Sequence, residues 1–189
     1  LVLAGRGYGK TRVGAEQVRA WVKTYPIVNL IGATADDARD IMIEGESGIL
    51  AICPDSERPH YAKSDRLLRW PNGAKSLIFT ADEPERLRGK QHQKLWCDEI
   101  CSWRYGQAAW DQAMLGLRLG DNPQAIVSTT PKPIMLLRNL IAQPGTVVTK
   151  GTTYDNRDNL APNFFSLIIS KYEGSRLGEQ ELNAVLLDG

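Results

Sequence analysis

Only three of the 189 residues are cysteine and two are histidine, and the formal net charge is +1. Cys53, Cys97 and Cys101 are odd in number, and Cys97-x3-Cys101 has no second pair to complete a zinc site. They give no disulfide framework and fit a reducing cytoplasm. His60 and His92 lack sequence partners for a catalytic triad or a metal site, so both read as surface or structural residues. A nearly neutral chain offers no whole-surface argument for a nucleic-acid partner, although it leaves room for a local basic patch. No apolar run approaches the ~20 residues of a membrane span, and no signal-peptide pattern is visible in these residues. Internal repeats, low-complexity tracts and linkers are also missing.

What is present is a composition of 42% hydrophobic and 24% charged residues, which suits one soluble globular domain of ordinary size. The most informative stretch is Gly5-Arg6-Gly7-Tyr8-Gly9-Lys10-Thr11, between the apolar run Leu1 to Ala4 and a helical pattern. A glycine-rich turn from strand to helix that ends in Gly-Lys-Thr is a phosphate cradle. Its N–H groups face phosphate oxygens, Lys10 neutralises β/γ charge, and the Thr11 hydroxyl suits Mg²⁺. The helix N-terminus adds partial positive charge. The spacing departs from the usual loop in one place: Ala4 stands where a glycine is common, which is tolerable if that position needs no positive φ. The chain starts tight against this loop without an initiator Met, giving the expectation of a fragment.

Periodicity predicts a helix from Thr11 to about Lys23, a buried strand at Ile27 to Ile31, and a helix capped by Thr34 that runs to Met42 or Ile43. Gly45 to His60 is turn-rich and gives no clear element. Leu67 to Trp70, the turn Pro71-Asn72-Gly73, and Ala74 to Thr80 read as a β-hairpin. A polar loop then covers Ala81 to Gln93. Further strands are expected at Lys94 to Asp98, Ala125 to Thr129 and Thr146 to Lys150. Helices are expected at Gly106 to Leu117, Ile134 to Ile141, Asn163 to Tyr172 and Leu177 to Leu187. Alternating strands and helices imply an α/β fold with a mostly parallel sheet, helices on both faces and an inserted β-hairpin. The tryptophans Trp21, Trp70, Trp96, Trp103 and Trp110 read as core rather than as base-stacking platforms.

Ligands of such sheets bind beyond the carboxyl ends of the strands, and three further motifs fall there. Asp98-Glu99 closes an apolar strand. Asp98 suits Mg²⁺, directly or through water, and Glu99 suits activation of an attacking water. A pair of surface acids is the plainer reading, and the upstream phosphate loop favours chemistry. Ser128-Thr129-Thr130 before Pro131 places hydroxyls where they can meet the γ-phosphate region or the catalytic water. Arg6 lies inside the loop and can contact phosphate or act as a mobile sensor. Arg86, Arg88 and Lys90 sit in the polar loop before Asp98-Glu99; by position alone they form a solvated basic loop.

Taken in order, these motifs resemble the tailed-phage terminase large subunits. The resemblance rests on Gly5 to Glu16, on Ala81 to Gly89 followed by Trp96-Cys97-Asp98-Glu99 and Trp103, and on Ser128 to Pro133. It continues through Thr153-Tyr154-Asp155-Asn156, Asn159-Leu160-Ala161, Tyr172-Glu173-Gly174 and Gly178-x-Gln180-Glu181-Leu182, so it spans nearly the whole chain. It implies a P-loop NTPase of the RecA/ASCE-like class over residues 1–189, the motor domain of an ATPase that packages double-stranded DNA into a capsid.

By the same resemblance, Gly5 to Thr11 and Ser128 to Thr130 contact nucleotide, Thr11 and Asp98 hold Mg²⁺, and Glu99 and Lys10 are catalytic. Arg88 acts in trans on a neighbour's nucleotide. The implied cofactors are ATP and Mg²⁺. The implied partners are double-stranded DNA, further copies in a pentameric ring, the portal protein and the small terminase subunit, with no membrane. The implied place of action is the host cytoplasm, at the procapsid portal. An adenine-contacting segment is expected upstream of Leu1 and a nuclease domain downstream of Gly189, so no DNA cutting is assigned to these residues. A helicase-like translocase is the alternative, and it would need a second motor domain. A nucleotide-binding ring subunit without turnover is a third reading, disfavoured by the intact Lys10, Thr11, Asp98 and Glu99.

Overall fold

The computed structural model describes residues 1–187. Its strands are β1 Val2–Ala4, β2 Val28–Gly32, β3 His60–Ala62, β4 Leu67–Arg69, β5 Lys75–Thr80, β6 Lys94–Asp98, β7 Gln124–Thr129 and β8 Thr149–Gly151. The α-helices are α1 Lys10–Trp21, α2 Ala35–Asp37, α3 Ile49–Ile52, α4 Gly106–Gly116, α5 Met135–Ala142, α6 Pro162–Tyr172 and α7 Arg176–Glu181. Contacts divide the chain into two compact units, Thr11–Val127 and Leu1–Lys10 with the chain from Ser128 onward.

In the Thr11–Val127 unit, β2 pairs in parallel with β5 on one side and β6 on the other. Both β2 and β6 are buried throughout, as their nearly continuous apolar runs require. The hairpin expected from Pro71-Asn72-Gly73 joins β4 to β5 in antiparallel register. Gly73 supplies φ +92°, and Asn72 Oδ1 accepts from the Ala74 N–H at 3.0 Å. β3 adds antiparallel to β4. It is illegible in the sequence because it is only three residues long, one exposed and two half-buried, with no apolar alternation. α3 is likewise hidden, being a single turn within a glycine-rich stretch.

Thr34 caps α2 as expected, its hydroxyl accepting from the Asp37 N–H at 3.1 Å. The helix then widens into a π-helical turn over Ala38–Ile43. The core gathers Val18, Leu30, Met42, Leu68, Ile78 and Trp96. Trp70, Trp96, Trp103 and Trp110 are buried as expected, and Trp21 is half-buried against the same core.

Several polar side chains are buried in this unit, Lys94, Asn29 and His92 among them. Lys94 Nζ donates to Asn122 O at 2.6 Å and to Gln124 Oε1 at 2.7 Å, and it faces the Tyr25 ring at 4.4 Å. Asn29, in the middle of β2, accepts from the Leu77 N–H at 2.8 Å through Oδ1. Its amide nitrogen meets His92 Nδ1 at 2.7 Å, which makes Nδ1 the acceptor and leaves the proton on Nε2. Nε2 is buried without a hydrogen-bond partner among the described residues.

Burial lowers the His92 pKa from 6.5 to about 4. The folded protein therefore holds His92 neutral where the unfolded chain takes up a proton. This contribution to stability is complete above pH 6.5 and declines toward pH 4, by up to about 1.4 kcal/mol per pH unit. Denaturant titrations at pH 7 and pH 5 are expected to show a smaller acid loss in His92→Gln than in the wild type. Equal losses would remove His92 as the cause.

In the other unit, β1 pairs in parallel with the end of β7 (Val2↔Ser128, Leu3↔Thr129) and with β8 (Val2↔Thr149). The strand expected over Thr146 to Lys150 is shifted to Thr149–Gly151. Gly145 turns the chain at φ +87° and Val147 is exposed, so pairing with β1 begins only at Thr149. The last helix, expected over Leu177 to Leu187, ends at Glu181. Ala184 lies at φ +53°, and the Glu181 and Leu182 carbonyls accept from the Arg6 and Thr153 N–H groups. Among the described residues no helix is long and apolar enough to cross a membrane. All three cysteines are buried and unbridged.

Candidate functional site

The glycine loop leaves β1 at Gly5. Ala4 lies in β1 and is not among the positive-φ residues, so the departure at this position costs the loop nothing. Positive φ falls on Gly7 (+78°) and Gly9 (+105°), which glycine accepts without strain. Gly5 is required for a second reason: a Cβ there would collide with the Leu182 carbonyl.

Lys10 opens α1 with its ammonium folded back over the loop. Nζ donates to Ala4 O at 3.0 Å, to Gly5 O at 3.1 Å and to Thr130 Oγ1 at 3.1 Å. Two of the motifs singled out by sequence, the phosphate loop and Ser128 to Thr130, thus meet through a direct hydrogen bond. Ser128, Thr129 and Thr130 are all buried.

The loop is braced by residues that sequence reasoning assigned no role. Glu181 O accepts from the Arg6 N–H at 2.6 Å, and Glu181 Oε2 pairs with Arg6 Nε at 3.1 Å. Thr153 Oγ1 donates to Arg6 O at 2.5 Å, and Asn156 Nδ2 donates to Gly7 O at 2.7 Å. Tyr8 packs against Gly151 so closely that a Cβ there would collide with its ring. The hydrogen bonds among these contacts span 147 to 175 residues of sequence, beyond the reach of any local pattern. Arg6, read as a phosphate contact or a mobile sensor, is held in an ion pair in this conformation.

In the Thr11–Val127 unit, Thr11 lies in the first turn of α1, and Asp98 ends β6, buried. α1 is pinned to β6 by Gly14, whose missing side chain admits the Trp96 indole. The helix that carries Thr11 is thereby fixed on the strand that carries Asp98. Gly14→Ala is expected to lose about 1–3 kcal/mol of stability through overpacking, despite alanine's better helix propensity, in a denaturant titration. An unchanged midpoint would contradict this packing.

Glu99 follows Asp98 in the left-handed region at φ 50° and ψ 51°. Trp103 Nε1 donates to the Asp98 carbonyl at 2.9 Å, and the Ser102 N–H bonds to the Glu99 carbonyl at 2.8 Å. Arg88 caps a 3₁₀ turn, Pro84–Leu87. Its side chain is 75% exposed and pairs with Glu85 at 3.4 Å. With Arg66, Arg86 and Lys90 it borders a cleft of about 630 Å³.

Among the described residues no group of three or more His, Cys, Asp or Glu could hold a metal. The Thr11 hydroxyl and the Asp98 carboxylate are oxygen donors of the kind Mg²⁺ takes beside phosphate oxygens.

The sequence model of the family described as "Terminase large subunit, T4likevirus-type, N-terminal" matches residues 1–189. The chain belongs to this terminase family. The fold of the terminase domain is also seen in solved structures. The large terminase ATPase domain of Thermus phage P74-26 superposes with a TM-score of 0.65 at 17% identity, covering 99% of this chain and 88% of that one. The large terminase of a thermophilic bacteriophage gives a TM-score of 0.78 at 14% identity, covering 96% of this chain and 47% of that one. That same large terminase in complex with ATP-γ-S gives 0.75 at 14% identity, over 97% of this chain and 46% of that one. The chain thus spans about half the length of the thermophilic phage protein. No curated protein matches it. The α/β, mostly parallel P-loop NTPase fold expected from the sequence is the fold of these structures.

Proposed function

We propose that this terminase domain hydrolyses ATP and that the reaction drives double-stranded DNA into a capsid. The observation that carries this reading is Lys10, held over a glycine loop by Ala4 O and Gly5 O and joined to Thr130. A cation held at the mouth of such a loop by two carbonyls and a hydroxyl is suited to a phosphate group. Its three N–H donors are taken by these acceptors, so a phosphate oxygen would replace one of them while the ammonium stays at the mouth of the loop. The large terminase of the thermophilic bacteriophage, solved with ATP-γ-S and with ADP, supports the same class of ligand.

Each residue then has one task. The N–H groups of Gly7 and Gly9 bind phosphate oxygens, those of Gly5 and Arg6 being bonded to Gly151 O and Glu181 O, and Lys10 stabilises charge on the β/γ bridge as it develops. Thr11 and Asp98 hold Mg²⁺, which when bound neutralises phosphate charge. Glu99 orients the water that attacks the γ-phosphorus and accepts its proton. Ser128, Thr129 and Thr130 respond to the γ-phosphate, with Thr130 already bonded to Lys10. Arg88 reaches the nucleotide of a neighbouring subunit in a pentameric ring. Its present partner Glu85 is no obstacle, since an exposed ion pair contributes only ~1 kcal/mol or less. The portal protein and small terminase subunit complete the set of partners, at the procapsid portal in the host cytoplasm. The nuclease role of larger terminases is not placed on these residues.

The test is phosphate release from Mg·ATP by the wild type and by Lys10→Ala. Turnover by the wild type, with none by a folded Lys10→Ala chain, is the expected result. Equal rates would refute the assignment.

A further inference from the structure

The strand that ends in Asp98-Glu99 does not end in a relaxed turn. Glu99 occupies the left-handed region at φ 50°, ψ 51°, a conformation that a non-glycine residue keeps only when its surroundings impose it. The flanking residues show what imposes it. Ile100 and Cys101 are buried in the short 3₁₀ turn Ile100–Ser102, which anchors the chain just after Glu99. The Ser102 N–H closes that turn onto the Glu99 carbonyl at 2.8 Å. On the other side, the buried Trp103 indole donates its N–H to the Asp98 carbonyl at 2.9 Å. That carbonyl belongs to the peptide between Asp98 and Glu99. The bond therefore fixes the plane whose rotation would let Glu99 relax toward the right-handed or extended regions.

We propose that Trp103 is a positioning residue for hydrolysis: its indole N–H locks the Asp98–Glu99 peptide and so sets the direction in which the Glu99 carboxylate is presented. This rests on the reading of Glu99 as the group that activates water. Trp103 touches neither nucleotide nor water in this role; it acts through the backbone of the catalytic residue. A donor on a rigid, buried ring suits this task, because a flexible side chain would let the peptide rock. Placement errors of about an ångström at a catalytic group cost up to ~10²-fold in rate.

The test compares ATP turnover and ADP binding in the full chain with Trp103 replaced by Phe or by benzothienylalanine. The second replacement keeps the ring shape and removes only the donor, so it remains informative if Trp103→Phe does not fold. The expected result is a fall in kcat of roughly tenfold or more, with KM and ADP affinity within about twofold of wild type. In a Glu99→Gln background the same replacement is expected to cost nothing further, because both changes disable one group. A merely structural role would lower the melting temperature and leave kcat per folded molecule intact. Wild-type kcat in the benzothienylalanine variant overturns the proposal while the wild type and Glu99→Gln still differ. So does a loss that persists undiminished in the Glu99→Gln background. A wild-type chain without turnover overturns the ATPase reading itself and this inference with it.

Discussion

Glu99→Gln is expected to bind ATP as the wild type does and to hydrolyse it ~10²–10⁴-fold more slowly. Glutamine matches glutamate in size and can keep the left-handed turn at position 99, so the local backbone is retained. What is lost is the negative charge that draws the proton from water. The phosphate and metal contacts are proposed for other residues, in the glycine loop, Lys10, Thr11 and Asp98, so affinity is expected to stay unchanged. Nucleotide titration by fluorescence and steady-state phosphate release separate the two. A variant that turns over at the wild-type rate would leave Glu99 as an ordinary acid at a strand end.

Arg88→Ala is expected to cost ~10³-fold in DNA-stimulated turnover while sparing nucleotide binding. A guanidinium that is 75% exposed on the cap of a short 3₁₀ turn is free to extend, and the surface pair with Glu85 is weak enough to yield. Delivered to another subunit's γ-phosphate, it would spread the charge of the transition state. Action in trans has a distinctive signature. Arg88→Ala and Glu99→Gln chains, each inactive, are expected to recover part of the activity when mixed, because some interfaces then combine an intact Glu99 with an intact Arg88. Mixed assemblies without recovery would place Arg88 elsewhere in the cycle.

Much of the fold is legible in the sequence because its signals are local. β6 follows from an uninterrupted apolar run ending in two acids, and the β4–β5 hairpin from Pro71-Asn72-Gly73, whose Gly73 takes the positive φ that the turn demands. The phosphate loop shows itself through its glycines, two of which carry positive φ. The parts that escape depend on distant partners. The end of α7 is set by where the Glu181 and Leu182 carbonyls are needed, and nothing in Leu177 to Leu187 encodes that need. Glu181, Thr153 and Asn156 grip the loop across more than a hundred residues, and an acid or amide with that role looks in sequence like any surface residue. Trp103 reads in the sequence as core and as part of the terminase resemblance, with no role assigned to its indole N–H. Its indole bond to Asp98 O is visible once the turn after β6 is built. His92 reads as surface or structural, and its depressed pKa follows from a burial that sequence does not display.

Whether Lys10 and the loop around it serve ATP hydrolysis coupled to DNA is tested most directly by phosphate release from Mg·ATP. The wild-type and Lys10→Ala chains are compared side by side, with and without linear double-stranded DNA. The expected result is turnover by the wild type, a higher rate with DNA, and no turnover by Lys10→Ala under either condition. A wild-type chain that releases no phosphate in any assembly state, or a Lys10→Ala chain that matches it, would contradict the proposed role.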